Sequence, residues 1–175
     1  MIDGIDWDAP IEPGRAMLGL TLGLSDDAVR RIVGCDADDQ QKIVEFKNSP
    51  RLLVDCRRSD VIFIRSADIK NIMHEWQNVL ARLVFDDYIL KSIVVESVPG
   101  GAEYVYRGRI MNKVCLGMKV AELRDFGFLE YDDVDEVFYL NEVSGLEVAG
   151  DDVCDLSINP NQVVAHIKIF QSMSA

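Results

Sequence analysis

Residues 125–167 of this 175-residue chain contain no lysine and no arginine, although eleven acidic residues lie there. Of the 30 acidic residues, 19 remain for the rest of the chain against all 18 basic ones, so one stretch carries nearly the whole formal charge of −12. Localised negative charge repels nucleic acid and anionic membrane and attracts cationic partners, with a reach of about 8 Å at physiological salt.

Long apolar runs are missing as well. No segment approaches the roughly 18 apolar residues that a membrane span needs. The opening residues 1–8 are acidic and contain neither a basic segment nor an apolar one, so no export signal is expected and the reading is cytoplasmic. Histidine is limited to His74 and His166. His166 sits in an apolar run and reads as a hydrogen-bonded structural residue, and His74 beside Glu75 reads as solvated. Cysteines 35, 56, 115 and 154 stand singly, without a C-x-x-C pair or a histidine at ligand spacing. Zinc is therefore not expected, and four reduced, mostly buried thiols are.

Catalytic and nucleotide motifs are missing too. There is no G-x-x-x-x-G-K-[ST] loop, and Ser144-Gly145 lacks the preceding glycine of a nucleophile elbow. The carboxylate pairs Asp132-Asp133, Asp135-Glu136 and Asp151-Asp152 are crowded in polar sequence, where carboxylates stay ionised rather than serving as acids. None has the spacing of an EF-hand calcium loop. The expectation is a protein that is not an enzyme, with no catalytic residue, no metal and no cofactor.

What is present is a grammar of strands and short helices in a single domain over residues 1–175. In 18–24, leucine alternates with Gly19, Thr21 and Gly23, as a half-buried strand would. Ser25 then offers an N-cap, Asp26 and Asp27 a first turn, Val29, Ile32 and Val33 an apolar stripe, and Gly34 a stop. Aligning Gly23 with Gly117 matches Leu22 with Leu116, Arg30 with Arg124 and Ile32 with Phe126, and Gly127 closes this second helix as Gly34 closes the first. Two pseudo-repeated halves, about 11–98 and 104–171, are expected. Further strands are read at 42–46, 52–56, 61–64, 79–85, 88–95, 136–140, 146–149 and 162–170, with a helical or loop segment from Asp68 to about Asn78. Short connections favour antiparallel pairing. The expected class is α+β, one or two antiparallel sheets with short helices packed on one side.

The acidic stretch reads as a binding face. Its acids are interleaved with Tyr131, Phe138 and Tyr139, and aromatics beside charge are what interface hot spots are made of. The candidate partner-binding set is Tyr131, Asp132, Asp133, Asp135, Glu136, Phe138, Tyr139, Glu142, Glu147, Asp151 and Asp152. Without local cations, self-repulsion in this set is relieved most simply by a basic partner.

Pro13-Gly14-Arg15, followed by Gly19-Leu20-Thr21-Leu22-Gly23-Leu24, resembles the opening segment of immunity proteins encoded beside bacterial polymorphic toxins of type VI secretion and Rhs-type systems. Tyr106-Arg107-Gly108, Cys115-Leu116-Gly117-Met118, Val137-Phe138-Tyr139, Gly145-Leu146-Glu147-Val148 and His166-Ile167-Lys168-Ile169-Phe170 follow in the order of the same group, whereas 61–78 matches nothing in it. The resemblance implies an antitoxin that binds a cognate toxin and blocks it, and it assigns no functional residue. A nuclease toxin, its substrate groove lined with Lys and Arg, would suit an acidic inhibitor. Two other readings stand beside this one: an envelope assembly module, and a carboxylate-rich metal-dependent hydrolase.

Overall fold

Short runs rich in β-branched and aromatic residues recur along the chain, and most of them join one sheet. The computed structural model describes residues 2–35, 40–68, 74 and 76–172. In chain order the strands are β1 (Ile2–Asp6), β2 (Ala16–Met17), β3 (Leu20–Thr21), β4 (Gln41–Lys47), β5 (Arg51–Asp55), β6 (Val61–Ser66), β7 (Val79–Asp86), β8 (Ile89–Glu96), β9 (Leu129–Asp132), β10 (Val137–Leu140), β11 (Leu146–Gly150) and β12 (Val164–Phe170). Helix α1 (Asp26–Val33) and 3-10 helices at Ala102–Tyr104 and Val120–Phe126 complete the elements. Strand makes up 43% and helix 11% of the described residues. The protein is thus mostly β, which corrects the α+β expectation. The second predicted helix forms only 3-10 turns, and β1 and β9 add strands where none was read.

Ten strands form one mixed sheet in the order β1-β4-β5-β6-β7-β8-β12-β11-β10-β9. Only β1 and β4 run parallel; every other pair is antiparallel. The run 18–24 is not the predicted strand. Leu18, Gly19 and Gly23 have φ of 59°, 78° and 90°, so the chain turns there and leaves a two-residue hairpin of β2 with β3. The helical stripe read from Asp68 falls largely on 69–73 and 75, outside the described residues.

Helix α1 forms as its caps require. The Ser25 side chain accepts from the Ala28 N–H, Asp26 and Asp27 occupy the positive end, and Gly34 takes the left-handed conformation at φ 77° that glycine enters without a Cβ clash. Its buried Val29 and Val33 join one continuous core with Ile5, Trp7, Phe46, Ile62, Ile93, Ile167 and Phe138. Polar anchors tie the entry segment to that core: Trp7 Nε1 donates to Tyr104 O at 3.1 Å, and the Tyr106 hydroxyl accepts from Leu18 N at 3.2 Å. A disulfide joins Cys35, just past α1, to Cys56 at the end of β5. That corrects the expectation of four reduced thiols.

The meanders β5–β8 and β9–β12 correspond pair for pair. Gly23 N donates to Leu90 O and Leu90 N to Leu24 O; likewise Gly117 N donates to Val164 O and Val164 N to Met118 O. In β7 with β8 the register runs Val84↔Ser92 and then Phe85↔Leu90, a bulge at Lys91. In β11 with β12 it runs Ala149↔His166 and then Gly150↔Val164, a bulge at Ala165. The contacts Ser92↔Phe170 and His166↔Glu96 exchange under this correspondence, while Val94↔Lys168 maps onto itself. An approximate two-fold axis therefore passes beside Val94 and Lys168. The halves are unequal, because β1 and β4 have no counterpart in the second.

Candidate interaction surface

Antiparallel pairing brings the acidic loops together. The β9–β10 turn begins where Asp132 pairs with Val137. Phe138 pairs with Val148, which sets the start of β10 beside the end of β11, where the connection through 151–163 leaves the sheet. Asp133, Asp135 and Glu136 on one loop and Asp151 and Asp152 on the other are exposed at this same end. Charge records their approach. Desolvation, followed by the carboxylates of Glu136, Asp133 and Asp155 together with Cys154, raises the Tyr131 hydroxyl above its usual range. Acids of both loops thus act on one ring.

Several of these acids have local work. Asp132 Oδ1 accepts from Val134 N at 2.8 Å and from Asp135 N at 3.1 Å, closing a turn in which Glu136 has φ 57°. Asp151 Oδ1 accepts from Val163 N at 2.8 Å, and Asp152 Oδ2 from the Asn159 amide at 3.3 Å. Asp155, which the sequence reading left out, accepts from Ser157 N at 2.8 Å; the Ser157 bonds, with Arg124 nearby, hold its carboxyl below the ordinary value. Asp- and Asn-type acceptors of this kind hold irregular loops in fixed shapes.

Three members of the predicted set stand elsewhere, and a fourth, Tyr139, reaches the acidic loops from another face. Phe138 is 2% exposed in the core, its ring tilted against that of Tyr131 with centroids 4.9 Å apart, and is withdrawn from any partner: alternation along β10 sends Phe138 and Leu140 to the core face and Val137 and Tyr139 to the other. Glu147 is buried and paired with Lys168 at 2.6 Å, so the stretch is not wholly without an ion pair. Glu142 lies at the opposite end of the sheet, accepting from Phe128 N at 3.0 Å. Tyr139 lies on the sheet face turned away from the core, beside Glu147, yet its hydroxyl donates to Asp135 Oδ2 of the acidic loop at 3.5 Å; desolvation, followed by the carboxylates of Glu147 and Asp135, raises that hydroxyl. The aliphatics of the acidic end were missed: Val134, Val153 and Ile158 are 85%, 62% and 75% exposed. Their signal was present as apolar residues alone among acids and turn formers.

The same outer face holds a second constellation at its centre. Glu96 Oε1 pairs with Arg82 at 2.5 Å and with His166 Nδ1 at 3.2 Å. Burial pushes the Glu96 carboxyl up, but His166 and Arg82 outweigh it and the net displacement is downward. Each charge here has its opposite. Among the described residues, no group of three or more His, Cys, Asp or Glu side chains is arranged to hold a metal ion, and no helix is long and apolar enough to cross a membrane.

Comparison with protein-family models, curated proteins and solved structures gives no match.

Proposed function

We propose that the chain is an immunity-type inhibitor that binds a cognate bacterial toxin through its acidic end. One observation carries this reading: two acidic loops from neighbouring strands meet at one end of a rigid sheet, with exposed Val134, Val153 and Ile158 among the carboxylates. Exposed aliphatics are a cost unless something covers them, and carboxylates that outnumber the cations near them favour a basic cover. Complementary charge raises the association rate, and the aliphatics slow dissociation once they are dehydrated. A nuclease groove lined with Lys and Arg supplies such a surface, with the carboxylates standing where phosphates would. The test is co-purification with the product of the adjacent gene, followed by titration across salt. Tight binding that weakens steeply with ionic strength, and is lost when Asp133, Asp135 and Glu136 are each replaced by Lys, supports the proposal. Binding indifferent to both refutes it.

A further inference from the structure

β9 is an outer strand of the sheet: β10 pairs with one of its edges, and no strand among the described residues pairs with the other. A bare edge presents unpaired N–H and C=O groups, ready for another strand. The edge at the far side of the sheet is covered. There Asp6 N, at the end of β1, donates to Leu18 O at 3.0 Å, and Gly19 lies so close to β1 that a Cβ on it would stand 2.7 Å from Gly4 O.

In the other half, the edge that corresponds to β9 is already occupied. Asp55 pairs with Phe63 on β6 as Glu130 pairs with Tyr139 on β10, so β5 corresponds to β9. On its outer edge β5 carries β4, antiparallel, from Gln41↔Asp55 to Glu45↔Arg51. The second half has no chain for such a strand, since its 3-10 helix ends at Phe126 and β9 begins at Leu129, whereas α1 ends at Val33 and β5 begins at Arg51.

We infer that β9 receives an extended strand of the protein partner, antiparallel, in the place that β4 takes on β5. The inference rests on the docking role proposed above and names its mode. The chemistry of the incoming strand follows from the correspondence. Asp55 accepts from the Gln41 amide of β4 at 3.1 Å; Glu130, its counterpart, is exposed, so the partner sets a cation or donor opposite it. At alternate positions the partner turns aliphatic side chains toward the core face, as β4 does with its buried Val44 and Phe46. Phe128 and Val134, 65% and 85% exposed, flank β9 at its two ends and extend the apolar contact. A second copy of this chain suits the edge poorly, because pairing β9 with itself would set Glu130 and Asp132 against the same carboxylates, and like charges directly opposed destabilise a sheet. Acidic residues on the edge thus discourage self-association and favour a basic strand.

Two labelled eight-residue peptides of equal charge test this, one alternating lysine with valine and one carrying the lysines and valines in separate blocks. Only the first presents one charged and one apolar face when extended. Anisotropy is expected to show the alternating peptide binding at least about tenfold tighter, with hydrogen exchange slowed at the amides of β9 and the preference lost in Glu130→Lys. Equal binding of the two peptides without protection of β9, or binding of neither, overturns the strand inference, as does a dimer of the chain protected at β9. Failure of the docking role itself is read separately, as absence of a complex with the product of the adjacent gene, and a complex that leaves β9 exchange unchanged overturns the strand inference alone.

Discussion

Asp55 and Glu130 occupy corresponding positions on β5 and β9, each directly across from an aromatic residue of the next strand, Phe63 and Tyr139, yet Asp55 is 3% exposed and Glu130 lies open to solvent. The difference comes from what covers them. Asp55 is enclosed by β4 and bonded by Gln41 at 3.1 Å and by Arg57 at 2.8 and 2.7 Å, with Arg65 at 3.6 Å. Nothing described covers Glu130.

Asp55 makes stability depend on acid. Burial alone would push its carboxyl up, but the bonds from Arg57 and Gln41 prevail and hold it at about 2, below the ordinary 3.8. A depressed carboxyl contributes stability that is fully present above the unfolded value and is lost as pH falls through the folded one. Denaturant titrations are expected to show stability declining from about pH 4 toward pH 2, with a flatter decline in Asp55→Asn. At neutral pH that substitution is expected to cost about 3 kcal/mol, because it strips a carboxylate from buried Arg65.

The strands were the most legible part of the chain. Runs such as 42–46 and 79–85 are rich in apolar residues, β-branched and aromatic among them, and they form β4 and β7. The leucine alternation of 18–24 misled because its glycines, together with Leu18, take positive φ, and a period of two says nothing about backbone handedness. β1 and β9 went unread because Ile2–Asp6 and Leu129–Asp132 are short and acidic and gain their ladders only from distant partners. The α+β expectation failed with them. The Cys35–Cys56 bridge closes across 21 residues and left no trace in spacing. Phe138 was counted as an interface aromatic although its alternation with Tyr139 already marked the two as facing opposite ways. At the acidic end, composition located the charge, but only pairing of β10 with β11 showed that two loops share it.

The disulfide is expected to stabilise the fold by about 3 kcal/mol, as closure of a loop of this length removes freedom from the unfolded chain. Denaturant midpoints with and without a reducing thiol, and in Cys56→Ser, measure this; a midpoint unmoved by reduction would mean the bridge contributes nothing.

Gly145 marks a place where the backbone has no room. It has φ 76°, and a Cβ there would stand 2.5 Å from Gly14 Cα and 2.6 Å from Phe170 O. Gly145→Ala is expected to cost about 3 kcal/mol, combining left-handed strain with overpacking. Gly100 also has positive φ, at 72°, but faces open space, so Gly100→Ala is expected to cost about 1 kcal/mol. Thermal unfolding of the pair separates crowding from strain.

Acids that hold loops and acids that face outward are expected to separate under mutation. Asp132→Ala loses two backbone bonds and is expected to cost about 1 kcal/mol of stability. Asp133→Ala is expected to fall within about 0.5 kcal/mol of the parent while weakening partner binding. Chemical denaturation and binding titration of the same two variants check both halves of this statement.

The measurement that bears most directly on the acidic end as a docking surface is calorimetric titration of the chain with the product of the adjacent gene across ionic strength, for the parent and for the variant carrying Asp133→Lys, Asp135→Lys and Glu136→Lys. The account predicts affinity that falls steeply with salt in the parent, and a loss of about a hundredfold or more in the variant at low salt. Equal affinity for the two proteins, with the same shallow salt dependence, would contradict it.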